Sequence, residues 1–127
     1  MRNFQRFPSP GDKNALWYWH RTVHPLKVVK NFIVIQLCRY IPSLALKNFF
    51  YRRLLGMRVG KNASVGLMVM IDIFFPELVS IGENSVIGYN STLLGHEYLR
   101  REYRKGRVEI GANVLIGANT TVLPGVK

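Results

Sequence analysis

Between Val59 and Lys127 the sequence carries one histidine, His96, in the run Leu94-Gly95-His96-Glu97. An imidazole changes charge near neutral pH, so histidine is well suited to take a proton from a hydroxyl as that hydroxyl attacks. Glu97 is the adjacent candidate for orienting the ring, as a third group does behind a nucleophile and its base. Adjacent residues of an extended chain, however, point to opposite sides. An isolated histidine is more often an ordinary polar residue, so context must carry the argument. Beyond it come Arg100, Arg101, Arg104, Lys105 and Arg107. These cations suit phosphates or an acidic acceptor; they equally suit a solvated loop paired with Glu97 and Glu102. His20 and His24 have the spacing of a helical metal pair, but no carboxylate or cysteine stands near them to complete a site, and no metal is expected.

The sequence around His96 repeats with a fixed period. Val59, Val65 and Ile71 are six apart, as are Ile81, Ile87 and Leu93, and then Ile110, Ile116 and Val122. Glycine or an acid often follows directly, as at Gly60, Gly66, Asp72, Gly82, Gly88, Gly111 and Gly117. Two residues before the aliphatics the side chain is usually small or β-branched, as at Ala63, Ser85, Ser91 and Thr120. A strand repeats every two residues and a helix every 3.6, so neither yields a strict six. A fixed repeat implies stacked units. Each hexapeptide makes one short strand and one corner, and three make a triangular coil with the aliphatics pointing inward. The coils then span about 59–76, 81–98 and 110–127. Residues 77–80 are a short insertion. Residues 97–107 form a polar excursion loop, a usual place for function on a rigid scaffold.

Residues 1–58 read differently. They hold eleven Lys and Arg against one acid, Asp12, a net +10 of the chain's +11. Asp12 is the expected cap of a first helix running to about Val23, ahead of Pro25. A second helix is expected from about Leu26 to Ile41, apolar nearly all round and therefore buried. Ser43 is the expected cap of a third, with Gly56 just past its end. In that third helix Leu46, Phe49, Phe50 and Leu54 share one face and Lys47, Asn48, Tyr51 and Arg52 lie opposite, an amphipathic pattern. The domain reading is thus a basic helical segment, 1–58, followed by a repeat domain, 59–127.

The run Ile110-Gly-Ala-Asn-Val-Leu-Ile116-Gly-Ala-Asn-Thr-Thr-Val122-Leu-Pro-Gly-Val resembles the signature of bacterial hexapeptide-repeat acyltransferases. Together with Gly95-His96 and the charged loop, it looks like the maltose/galactoside O-acetyltransferase branch. The aromatic, basic N-terminal segment is more similar to other acetyltransferases of that superfamily. The resemblance covers residues 59–127 well and the earlier residues less. It implies a left-handed parallel β-helix, mainly β with α, assembled as a homotrimer with acetyl-CoA lying in grooves between neighbouring prisms. It implies that His96 is the general base for acyl transfer to a hydroxyl acceptor such as a sugar. It also implies that Gly117 and Ala118 meet the pantetheine arm through their backbone. Two departures stand out. Leu115 occupies a position where relatives often carry Trp, and Met68 occupies that of an acceptor-contacting Asn, so the sugar is not carried over. Relatives continue past the position of Lys127 with further repeats, so a C-terminally truncated chain is expected.

Other classes weigh less. Zinc-dependent carbonic anhydrases on the same scaffold need three histidines, and 59–127 has one. A catalytically incomplete scaffold that only trimerises is the main alternative. Lone Cys38 excludes an intrachain disulfide and fits a reducing compartment. No apolar run resembles a signal peptide or a membrane span, so a cytoplasmic location is expected. The basic half suggests an anionic membrane surface as partner, with Trp17, Tyr18 and Trp19 at headgroup depth, or else a helical cap over the first coil. No binding motif accompanies the charge, so nucleic acid is not expected.

Overall fold

The computed structural model describes residues 2–127. The chain opens with strand β1 (Gln5–Pro8), a 3-10 turn (Ala15–Tyr18), and three helices, α1 (Trp19–Thr22), α2 (Pro25–Tyr40) and α3 (Leu44–Leu54). Strands β2 (Arg58–Val59), β3 (Ser64–Val65) and β4 (Met70–Ile71) form a first segment, and β5 (Val79–Ile81), β6 (Val86–Ile87) and β7 (Thr92–Leu93) a second. After β8 (His96–Tyr98) and β9 (Glu102–Lys105), a third segment holds β10 (Val108–Ile110), β11 (Leu115–Ile116) and β12 (Thr121–Val122). The protein is mainly β with α, and among the described residues its α-helices lie before residue 55, with one further 3-10 turn at Pro76–Leu78.

Each segment gives one strand to each of three parallel sheets, β2-β5-β10, β3-β6-β11 and β4-β7-β12. The register is the one the six-residue period demands. Val59, Ile81 and Ile110 align, as do Val65, Ile87 and Ile116, and Ile71, Leu93 and Val122. All of these are buried except Ile116, which is half-buried. Between strands the backbone turns through left-handed residues, and Asn62, Asn84, Asn90, Asn113 and Asn119 fill five of the six such non-glycine positions. Asparagine tolerates that region because its short amide bonds locally. Here the amides also ladder, Asn84 to Asn113 and Asn90 to Asn119, each at 2.9 Å. Met68 is the sixth, with φ of 62° and no such compensation. Glycine at 82 has a packing reason: a Cβ there would sit 2.4 Å from the Gly111 carbonyl of the next segment.

The helices cover the free edge of the first segment, and that job sets their orientation. Strands β2, β3 and β4 pair on one side only, so their outward carbonyls need donors. Lys47 Nζ donates to the Val65 carbonyl and, at 3.3 Å, to that of Gly66. Asn48 Nδ2 donates to Ala63 (2.7 Å), Arg52 Nε to Val59 (2.8 Å) and Asn31 Nδ2 to Ile73 (2.8 Å). The Met68 amide in turn donates to the Arg39 carbonyl at 2.8 Å. Helix α3 therefore buries Lys47, Asn48 and Tyr51 and leaves Leu46, Phe49 and Leu54 exposed. That inverts the usual amphipathic arrangement. Helix α2 is likewise not the buried helix its composition suggests: it buries Asn31, Val34, Ile35 and Cys38 and exposes its other apolar side.

Two further expectations are corrected. Residues 1–58 are not uniformly helical, because β1 is a strand. Asp12 caps nothing: the first helix is only the 3-10 turn and the four-residue α1, with Asn14 at the cap position and no side-chain cap bond. The backbone of this stretch is bound elsewhere, Ser9 N–H to the Arg101 carbonyl (2.7 Å) and Ala15 N–H to that of Leu99 (2.8 Å). The expected loop 97–107 is a hairpin, β8–β9, to which β1 adds as a third antiparallel strand. Phe7 and Tyr103 stack across that pairing with centroids 4.8 Å apart.

Candidate active site

His96 stands at the point where the second segment leaves β7 and enters β8. Its partner comes from the segment below. Ile71 and Leu93 are paired residues of β4 and β7, and the Asp72 amide donates to the Leu93 carbonyl at 3.0 Å. Asp72 thus lies beside the chain that leads to His96. Its side chain is fully buried and its Oδ2 contacts His96 Nδ1 directly.

Backbone donors hold that carboxylate on every side. Oδ1 accepts from the Phe74 and Phe75 amides at 2.8 and 2.9 Å, and Oδ2 accepts from the Gly95 amide at 2.7 Å. Three N–H donors compensate the burial of a charged group that would otherwise be costly. They also fix the direction from which Oδ2 meets the imidazole. With Nδ1–H given to the carboxylate, the Nε2 lone pair is left to accept a proton.

Aromatic rings close round the imidazole. Phe74 lies 4.7 Å from it, Tyr98 4.8 Å and Phe75 5.9 Å, all edge-on. Trp19 extends the cluster through Phe74 at 5.9 Å. The His96 side chain keeps 12% of its exposure, so the ring is not sealed from solvent. Tyr98 shares a 2.5 Å hydroxyl contact with Thr22, and burial pushes its phenol above the ordinary 10. It therefore stays neutral beside the ring.

Other residues singled out by the sequence fall elsewhere. Glu97 faces away from His96, as strand alternation requires, and pairs with Arg2. The carboxylate that meets the imidazole is that of Asp72. The Arg2 Nε also donates to the Pro124 carbonyl at 3.0 Å, so this pair ties the N-terminus to the third segment. Arg104 pairs with Glu102 at 3.0 Å, and Lys105 sits 4.3 Å above the Phe75 ring. Arg100 and Arg101 are exposed at the hairpin tip. Lys105, Arg107, Glu109 and Lys127 line a groove of about 450 Å³ beside the hairpin, where Lys127 pairs with Glu109 at 3.6 Å. His24 is used as the α2 cap, its Nδ1 accepting from the Leu26 amide at 3.1 Å. Gly117 and Ala118 lie at the exposed corner between β11 and β12.

A family model described as "Hexapeptide repeat of succinyl-transferase" matches residues 78–95 and 107–127. A Bacillus subtilis protein named "Putative acetyltransferase YvoF" is 59% identical over 127 residues, all of this chain and 73% of that protein. The chain belongs to the hexapeptide-repeat acetyltransferase family. A Staphylococcus aureus member, also named as a "Putative acetyltransferase", is 51% identical over 86 residues, 68% of this chain and 53% of that protein. The match thus spans only about half the length of this second relative. No solved structure matches the chain. Family membership accounts for the repeat; the Asp72–His96 pair is the feature within it that could do chemistry.

Proposed function

We propose that the protein is a CoA-dependent O-acyltransferase that moves an acetyl group from acetyl-CoA to the hydroxyl of a sugar or sugar-like acceptor. One observation carries the reading: a ring nitrogen of His96 is held by a buried carboxylate, and the other is left free in an aromatic enclosure. Nε2 takes the acceptor's proton as its oxygen attacks the thioester carbon. The tetrahedral intermediate collapses, the C–S bond breaks, and the CoA thiolate leaves with the proton from the imidazolium. Asp72 is a positioning residue that fixes the tautomer and steadies the transient cation. The aromatic rings keep bulk water from competing as acceptor.

The resemblance adds what one chain does not supply. The three parallel sheets would be the faces of a left-handed β-helix, and three copies would form a homotrimer. Gly117 and Ala118, exposed at their corner, would then meet the pantetheine of acetyl-CoA through backbone groups in the groove between copies. A cytoplasmic setting agrees with the lone Cys38. Among the described residues no helix is long and apolar enough to cross a membrane.

Three measurements test the reading. Light scattering should find a trimer, and calorimetric titration should find CoA binding. Release of CoA thiol from acetyl-CoA should depend on an added hydroxyl acceptor. A trimer that binds no CoA would favour the incomplete scaffold instead.

A further inference from the structure

We infer that the outer face of α2 and α3 is a docking surface for an anionic lipid bilayer. Leu26, Val29, Ile33, Leu37 and Tyr40 follow one another at helical spacing along α2, and each is more than half exposed, from 53% at Ile33 to 72% at Leu26. Leu46 and Phe49 add to the exposed apolar surface from α3. Folding does not call for this face to be apolar. The inward side of α3 is the polar one, used to satisfy the carbonyls of β2 and β3, so its apolar residues are turned outward. A row of exposed apolar side chains of this kind marks an interaction site.

Charge identifies the occupant. From Lys13 to Ile71 the sequence has ten Lys and Arg and no Asp or Glu. The exposed Arg53 rests over the Phe49 ring at 6.0 Å, and the exposed Lys30 reaches the Leu54 carbonyl at 2.6 Å, so cations border the apolar residues. Glu77, paired with Lys27 at 2.8 Å, is an acid brought against α2 from outside that stretch, yet two copies meeting through this face would still bring two predominantly cationic surfaces together. Anionic headgroups neutralise it instead, while the apolar side chains enter the acyl boundary, as they do for helices that lie in the interface plane. At 16 residues, α2 is suited to lying there rather than crossing. This inference stands apart from the acyl-transfer reading, and its test uses no turnover.

The test is sedimentation of the 127-residue chain with vesicles of equal parts phosphatidylglycerol and phosphatidylcholine, against vesicles of phosphatidylcholine alone. Binding should require the anionic lipid and weaken as salt shortens the screening length from about 10 Å at 0.1 M to about 3 Å at 1 M. The double variant Ile33→Ser, Leu37→Ser should keep its circular dichroism and melting temperature, because both side chains are already exposed, and should lose roughly a hundredfold in affinity. Binding to neither vesicle, equal binding to both, or wild-type binding by the double variant would overturn the inference. So would a self-association of the wild type that the double variant abolishes, since that assigns the face to a second copy.

Discussion

Replacing Asp72 with Asn changes one group and leaves the shape of the site nearly intact. The native carboxylate accepts four contacts: the amides of Phe74 and Phe75 on Oδ1, and the Gly95 amide and His96 Nδ1 on Oδ2. An asparagine presents one acceptor and one donor to these four. Whichever way the amide turns, its NH2 faces a backbone donor. With the oxygen toward Phe74 and Phe75, the NH2 meets the Gly95 amide and turns Nδ1 from donor into acceptor. The proton then moves to Nε2, where it blocks the base. The opposite flip keeps the tautomer but sets the NH2 against two amides. A buried donor left without an acceptor costs about 1–3 kcal/mol, so the variant should fold with a lowered melting temperature. Loss of a general base costs roughly 10²–10⁴-fold in rate, and a wrong tautomer in a comparable triad reaches about 10⁴. The assay is acetyl-CoA turnover as a function of pH, with CoA affinity titrated alongside. The rate constant should fall by that factor while CoA affinity changes little. Nitrogen NMR of the imidazole should show Nδ1–H in the wild type and Nε2–H in the variant. A folded Asp72→Asn protein with wild-type turnover and an unchanged tautomer would refute the reasoning.

Other consequences are smaller and independent. Lys47→Met should destabilise the fold by about 1–3 kcal/mol, read by urea unfolding, because the Val65 carbonyl loses a buried donor. Burial holds the Lys47 ammonium below its ordinary 10.5, so between that lowered value and 10.5 the unfolded chain binds the extra proton; stability from this residue should rise with pH across the window, and Lys47→Met should abolish the rise. Burial pushes the Cys38 thiol up to about 11, so maleimide should label the native protein far more slowly at pH 8 than the unfolded one. Met68→Asn should raise stability by about 0.5–1 kcal/mol in thermal melts, since it relieves a left-handed Met and places an amide below the Asn90–Asn119 ladder.

The repeat was legible because a stacked strand exposes its period directly: nine aliphatics six apart became nine register partners. Helices α2 and α3 were legible to within a residue or two, from Pro25, Ser43 and Gly56, whose φ of +70° suits its place past the helix end. Their facing was not. Hydrophobic pattern describes a helix against an apolar neighbour, whereas α3 lies on a row of unpaired carbonyls and must present Lys47, Asn48 and Arg52 to it. Asp72 left a signal that went unused. It is the one acid at a position that six of the other eight repeats fill with glycine and two with leucine, Leu94 and Leu123, and stacking Ile71 on Leu93 sets it beside the approach to His96. Glu97 was the tempting neighbour by sequence, but the alternation of β8 turns it toward Arg2. The three-stranded sheet β1-β9-β8 needed a pairing between residues about a hundred apart, which no local pattern records.

If His96 is the base for acyl transfer, as proposed, His96→Ala should abolish most of the turnover. The measurement is release of CoA thiol from acetyl-CoA, with an acceptor that the wild-type protein uses, at saturating substrate. The rate should be roughly 10²–10⁴-fold lower, with CoA affinity close to wild type because the imidazole acts on the acceptor, and with a lowered melting temperature because the buried Asp72 carboxylate loses a partner and the aromatic enclosure is left with a cavity. A folded His96→Ala protein that turns over acetyl-CoA at the wild-type rate would contradict it.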